Sequence, residues 1–435
     1  MITTEKTTVA NVIAQLIYPQ VTISGIDWIS TLRQTAYEQF IALGLPNRRN
    51  EEYKYAPAEP LFKGEWSVAQ SSTPALTSLS DVLFTNADAH VIVTVNGYYN
   101  DTLTTLDIKE KLIVCNFKQA FTAHADVLQK HFNTLCPTTT DALCTLNTAA
   151  FTSGVFVYVK AYEHITKPIY ILNITTGATP QISNARNLVV VDGNASCHIM
   201  EHSISHELTS KAIRNNVTEI VVGENAIVKH EHLQNDNALL NTINATCVSQ
   251  AASSNFTSNV ITLGGSYTRN NLTVTLNNSY CNTALNGLFM PSASQLMDNH
   301  TTVDHAMPHC DSSELYKGIL MDKSTGVFNG KIFVRKNAQK TNAYQSSKNI
   351  LLSTDATINT KPQLEIYADD VKCSHGTTTG QIDEEAIFYL QARGIGKESA
   401  KRIMMHAFAG EVIDRIVNPT LRNYVTACME DKLAV

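Results

Sequence analysis

Two side chains with complementary chemistry stand two residues apart in "EIYADDVKCSHGTTTGQIDEE", Glu365 to Glu385: the thiol of Cys373 and the imidazole of His375. On a strand, positions i and i+2 share a face. The two could therefore share a metal, or the imidazole could favour the thiolate of Cys373, the form that a nucleophile, a persulfide carrier or an iron ligand requires. Two groups do not complete a metal site, so another chain or a distant loop must supply the rest. The competing reading is a structural cysteine near a satisfied histidine, and the pair alone leaves both open.

Other concentrations of polar chemistry are less directed. "MDNHTTVDHAMPHCDSSELYKG" supplies Asp298, His300, Asp304, His305, His309 and Cys310, but the spacings match neither a zinc finger nor a HExxH helix. A free-standing metal or thiol enzyme would centre here; turns and a satisfied interior polar ladder are the alternative. "VKHEHLQ" sets His230 and His232 on one strand face and Lys229 and Glu231 on the other, a structural pattern. The turn in "RGIGKESAKRI" resembles a helix-hairpin-helix, with Lys397, Lys401 and Arg402 in reach of phosphate, but an ordinary glycine helix stop explains it more simply. No GxxxxGK[ST] loop, GxSxG elbow or Rossmann fingerprint occurs, so ATP hydrolysis is not expected of this chain.

The elements that must position these groups change character along the chain. "TTVANVIAQLIYP" and "DWISTLRQTAYEQFIALGLP" carry helical spacing, the first ending at Pro19, the second capped by Asp27 and stopped by Gly44 and Pro46. From His90 the period becomes two, through "HVIVTVN", "GVFVYVK", "PIYILNIT", "NLVVVDG", "TEIVVGE", "LTVTLNN", "KIFVRKN" and "NILLSTD", with no helical pattern before Asp383. "VVVDGNASC", "IVVGENAIV" and "ILLSTDATI" repeat one another, with Ala195, Ala226 and Ala356 at equivalent positions. That repetition suits a parallel β-helix better than a sandwich. After Gly380, "DEEAIFYLQARGI" and "KESAKRIMMHAFAGEVIDRI" are helical, capped by Asp383, with Ala400, Ile403, Met404, Ala407 and Phe408 as one stripe continued by Val412 and Ile416. The expected organisation is a mainly helical region 1–88, a β-helix core 89–380 and a C-terminal helical domain 381–435 that caps the solenoid or docks a partner.

Bulk composition narrows the function classes. The 435 residues are 43% hydrophobic and 17% charged with net charge -6, without the basic excess a nucleic-acid binder needs. No apolar run is long enough to span a bilayer, and Met1 to Val12 lacks a signal-peptide pattern, so the expectation is a cytoplasmic protein without a membrane partner. Nine cysteines, none in a CxxC pair, suggest reduced thiols.

The C-terminal half carries a resemblance. "SSELYKGIL", "GVFNGKIFVRKNAQKTNAYQSSKNILLS" and "TKPQLEIYADDVKCSHGTTTGQIDEEAIFYLQARGI" closely resemble the SufB/SufD family of the SufBCD iron-sulfur cluster assembly complex, and "NRRNEEYKYAPAEPLF" resembles that family's N-terminal segment, with Tyr53 where tryptophan is usual. The likeness is dense from Gly287 to Ile395. SufB carries a cysteine in the segment matching "AYQSSKNILL" and a glutamate after the histidine matching His375; this chain has no cysteine from Ala343 to Leu352, Gly376 follows the histidine, and "KCSHG" is typical of the D branch. A SufB-like scaffold is the alternative within the family.

The resemblance implies a right-handed parallel β-helix between helical regions, and a non-catalytic scaffold in a complex of one SufB, one SufD and two copies of the ATPase SufC. The β-helix would pair with that of SufB, with a homodimer as the alternative in isolation. The C-terminal helices would bind SufC, with Ile387, Phe388, Leu390, Ile403, Met404 and Phe408 as contact candidates. His375 would be an iron ligand or assembly residue at the SufB interface, and Cys373 a secondary candidate. No cofactor would be held stably by the chain alone; sulfur would arrive on SufB as persulfide, and iron and sulfide would assemble between subunits, driven by SufC.

Overall fold

The computed structural model describes residues 8–21, 26–71, 88–107 and 112–433. The part of the expected N-terminal region over 72–87 lies outside them. The chain enters through helices α1 (Val9–Val21) and α2 (Asp27–Leu43), two short 3-10 turns and a two-residue strand β1 (Ser67–Val68). Pro19 lies inside α1, which continues to Val21, and Asp27 is the first residue of α2, not its cap. Gly44 closes α2 at φ 68°, a positive φ that glycine adopts without a Cβ penalty.

Strands β2 (His90–Val95), β3 (Tyr98–Tyr99) and β4 (Leu112–Asn116) are followed by three helices, α3 (Phe117–Ala123), α4 (Ala125–His131) and α5 (Ala142–Ala150). These helices interrupt a stretch where the sequence pattern suggested strands alone. All nine residues of α5 are buried, so its sequence carries no polar face to reveal a helical period.

The remaining strands form a parallel β-solenoid, eight in each of two sheets, which β1 and β4 extend to ten strands on one side and β2 and β3 on the other. In the first, β5 (Val155–Val159), β7 (Gln181–Val191), β9 (Ala212–Val222), β11 (Leu240–Gln250), β13 (Tyr267–Leu276), β15 (Leu296–His305), β17 (Thr325–Val334) and β19 (Thr357–Ile366) stack in that order. In the second, β6 (Ile169–Gly177), β8 (Ser196–Leu208), β10 (Ile227–Asn235), β12 (Asn255–Thr262), β14 (Asn282–Phe289), β16 (Asp311–Leu320), β18 (Asn342–Leu351) and β20 (Lys372–Gly380) do the same. Ala195 and Ala226 occupy one corner of successive coils, just before β8 and β10, whose register pairs Ser196 with Ile227. Ala356 instead precedes β19, in the other sheet, so it is not equivalent to them. Ser254, Cys281 and Cys310 hold that corner in the next coils.

Val, Ile and Leu from both sheets fill the interior of the first coils. Polar side chains join them further in, including His230 and His232 of β10, whose shared face points inward, with His230 Nε2 3.3 Å from Glu201 Oε1 and Nδ1 3.0 Å from Ser258 Oγ. An asparagine ladder runs through the same interior, Asn244 Nδ2 donating to Asn270 Oδ1 at 2.9 Å and Asn270 Nδ2 to Asn299 Oδ1 at 3.2 Å. Such a core tolerates amides because each can pair with its copy one coil on.

The outer faces are covered unequally. Helices α1, α2 and α5 seal the first sheet over its early coils. The segment around Tyr53 then latches onto later ones: the Arg269 guanidinium sits 3.8 Å from the Tyr53 ring centre and donates to the Glu52 carbonyl, and Tyr267 Oη donates to the Ala56 carbonyl. Helices α6 (Glu384–Gln391), α7 (Lys397–Ile413) and α8 (Pro419–Leu433) fold back along the second sheet, where Met405, Ala409, Val412, Ile413 and Ile416 meet Leu233, Ile261 and Leu315. The C-terminal domain therefore lies against the side of the solenoid and leaves its end uncapped. The buried stripe of α7 is Ala400, Met405, Ala409, Val412 and Ile413, while Ile403 and Ala407, expected in it, face outward.

Candidate functional site

Strands β19 and β20 each pair on one side only, β19 with β17 and β20 with β18. Their outer edges are therefore rows of backbone donors and acceptors without strand partners among the described residues. In β20 every residue but the half-buried Cys373 is exposed, whereas β7 is buried from end to end. The exposure follows from position: a solenoid strand is covered by the coils above and below it, and the last coil has only one.

Cys373 and His375 both lie on β20, on the face that points into the solenoid, as the i, i+2 spacing requires. Their register partners on β18 are Ala343 and Gln345. Cys373 packs against the cluster of Ala343, Ala368, Ile332 and Val334, and burial raises its thiol pKa. That direction opposes the expected thiolate, so Cys373 stands closer to the structural reading than to the nucleophilic one. His375 is exposed at the open end. No group of three His, Cys, Asp or Glu arranged to hold a metal exists among the described residues.

Beneath His375 runs a polar file that sequence reasoning missed. The register places Glu314 of β16, Gln345 of β18 and His375 in one inward row. Gln345 Nε2 donates to Glu314 Oε2 at 2.7 Å, and Gln345 Oε1 has no partner among the described residues. Gly330 makes room for this amide, since a Cβ there would meet Gln345 Nε2 at 2.3 Å. Burial pushes the Glu314 carboxyl up to about 7, far enough to hold a proton near neutrality. The residues are 31 and 30 positions apart, so nothing local in the sequence links them.

The Asp298 to Cys310 cluster disperses. Asp298 pairs with Arg269 at 2.5 Å under the outer face of the first sheet, and His300 bridges it to Glu52, Nε2 to Asp298 at 2.9 Å and Nδ1 to Glu52 at 3.2 Å. Asp304 pairs with Arg335, His305 turns inward to Ser312 at 2.9 Å, His309 stacks on Tyr280, and Cys310 lies at a buried corner. The groups serve latches, turns and core, as a structural ladder does.

The expected docking residues of the C-terminal helices also separate. Phe388 is 72% exposed and Ile403 45%, with Tyr389 beside them at 56%. Ile387 is buried and Leu390 half-buried. Met404 and Phe408 pack toward the solenoid, where Lys317 Nζ lies 4.3 Å from the Phe408 ring, donates to the Phe408 carbonyl and pairs with Glu411. Phe388 and Ile403 remain available to a partner; Met404 and Phe408 hold the domain in place.

Comparison with known proteins agrees with this architecture. Residues 173–408 match the family model for the SUF system FeS cluster assembly SufBD core domain, and residues 20–171 that for the SufBD protein N-terminal region. The chain is 31% identical to the iron-sulfur cluster assembly protein SufD of Escherichia coli over 407 residues, 92% of each protein. It is 30% identical to the iron-sulfur cluster assembly SufBD family protein slr0076 of Synechocystis, over 95% of this chain and 94% of the relative. Against the chloroplastic protein ABCI7 of Arabidopsis thaliana it is 28% identical, over 91% of this chain and 84% of the relative. A parallel β-solenoid with helices at both termini, matched over nearly its full length, belongs to the SufBD family of iron-sulfur cluster assembly proteins, and within it the chain is SufD-like.

Proposed function

We propose that this protein is a non-catalytic scaffold subunit whose open solenoid end pairs with a SufB homologue, the two together forming a site where iron and sulfide, the cargo, are assembled. The observation that carries this reading is the bare last coil: two edge strands, an uncovered interior and an exposed His375 on the same end. An edge of this kind is a template for another chain's strands. His375 supplies an imidazole ligand for iron, and the partner supplies the remaining ligands. Gln345, whose amide oxygen has no partner one coil below, is the acceptor available to orient that imidazole; Cys373 contributes packing.

Phe388 and Ile403, with Tyr389, form the apolar surface to which a SufC-like ATPase docks. Energy comes from that partner, and in its absence the same open end joins two copies of this chain. The test is co-expression of the full chain with its SufB and SufC homologues, followed by co-purification and cluster loading. His375→Ala is expected to leave the complex intact while cluster formation drops at least tenfold. Unchanged loading in the assembled complex would refute the site assignment; failure of the SufB homologue to co-purify would refute the scaffold reading.

A further inference from the structure

Three thiols from three separate elements meet under the outer face of the first sheet, remote in sequence from the open end. Cys136 lies in the connection between α4 and α5, Cys144 in the first turn of α5, and Cys247 on β11. All three are buried. Cys136 Sγ lies 3.7 Å from Cys247 Sγ, and the Cys144 thiol also hydrogen-bonds Cys136. A cleft of about 450 Å³, lined by Cys144, Cys247, Pro137, Asp141, Thr273 and Arg269, reaches Cys144 and Cys247, and Cys136 touches Cys247 beside it.

The surroundings distinguish the three. Contact with the Cys144 and Cys247 sulfurs, and then the Arg186 guanidinium, lowers the Cys136 thiol well below its usual range, while the same contacts and burial raise Cys144 and Cys247. Three sulfurs in contact offer an attacking sulfur, favoured at Cys136, and resolving partners. The sulfurs of Cys136 and Cys247 need only close from 3.7 Å to the roughly 2 Å of an S–S bond.

We propose that Cys136 and Cys247 form a reversible dithiol–disulfide site that reacts with a small hydroperoxide entering through this cleft, with Cys144 as the alternative resolving thiol. The Cys136 thiolate attacks one peroxide oxygen, the O–O bond breaks, and the departing oxygen leaves as hydroxide or alkoxide, giving a sulfenic acid on Cys136. The Cys247 thiol then attacks that sulfur, an S–S bond forms, and the sulfenic oxygen leaves as water. Two electrons pass from the two thiols to the peroxide, and a thiol reductant reverses the bond.

The disulfide ties the α4–α5 connection to β11. That connection is already held on the solenoid by the backbone N–H groups of Asn133 and Leu135, each donating to Glu219 at 2.8 Å. Oxidation therefore locks the N-terminal helices onto the first sheet and raises the melting temperature of the full chain. This inference stands apart from the role of His375.

The test treats the full-length chain with hydrogen peroxide, blocks free thiols under native conditions and again after denaturation, and maps peptides by mass spectrometry without reductant. A linked pair containing Cys136 and Cys247, two hydrogens lighter than the free peptides and lost on reduction, is expected. Cys247→Ser should move the link to Cys136 and Cys144, and Cys136→Ser should abolish it. Because the wild-type map needs no variant, misfolding of either substitution leaves the test intact. Recovery of all three as free thiols at a dose that oxidises the half-buried Cys373, or any link that omits Cys136, overturns the proposal.

Discussion

The middle coils and the last coil are built from the same repeat, yet they answer to different demands. In the middle, every strand is paired on both sides and charged groups are buried in closed pairs: Arg186 with Glu219 at 2.7 Å, Arg214 with Asp236 and Arg269 with Asp298 at 2.5 Å each. In the last coil the edges are open, the interior faces solvent, and Tyr367 and Ile366 are 58% and 39% exposed. The middle shows how a solenoid tolerates polar residues by stacking each on its neighbour. The end shows what the same stack lacks when no neighbour follows, and why a partner with a matching edge would find it.

The sharpest way to break the contrast is to remove one member of a middle pair. Glu219→Ala leaves the Arg186 guanidinium, with no exposed surface, without its carboxylate; the expected loss is about 3–5 kcal/mol in denaturant unfolding. Gly287→Ala tests interior packing, because a Cβ there falls 2.2 Å from the Tyr316 ring. A cost of about 1–3 kcal/mol is expected from calorimetry or denaturant melts.

Glu314 gives the contrast a pH dependence. Its carboxyl is raised to about 7 in the folded chain by burial, so between roughly pH 4.5 and 7 the folded state binds more protons than the unfolded one. Its stabilising contribution is present below that window and is lost as the pH rises through it. Between pH 5 and 8 the wild type should lose roughly 1–3 kcal/mol that Glu314→Gln retains, measured by melts of both proteins in matched buffers. The smallest effect belongs to the end: His375→Ala should change unfolding free energy by less than about 0.5 kcal/mol, since the side chain is exposed and its loss leaves no cavity.

What was legible in the sequence follows the same divide between apolar and polar packing. Strands whose inward positions are Val, Ile or Leu, such as β5, the start of β6 and the end of β7, showed a clear pattern. Strands β8 and β16 did not, because their inward positions include Glu201 and Glu314, side chains an isolated strand would turn to solvent. The helix α5, buried all round, lacked the polar face that would mark its period. In α7 the amphipathic stripe was set a step aside, on Met404 instead of Met405, because apolar side chains occupy both positions and only docking against Leu233 and Ile261 distinguishes them.

At the open end, Cys373 and His375 were legible as a same-face pair because β20 keeps strict alternation. Glu314 and Gln345 were not, since successive coils differ in length, from 27 residues between the starts of β12 and β14 to 31 between those of β16 and β18, and only the register aligns the row. The three-thiol cluster was hidden for the same reason: Cys136 and Cys247 are 111 positions apart.

The central claim is that the bare last coil receives the partner's strands. Amide hydrogen exchange of the full chain, alone and with its SufB homologue, tests it most directly. Protection is predicted for Lys372 to Gly380 and Thr357 to Ile366 on complex formation, with the already paired strands of the middle coils unchanged. A complex that forms while these two strands exchange as fast as in the free chain, with new protection elsewhere, would contradict it.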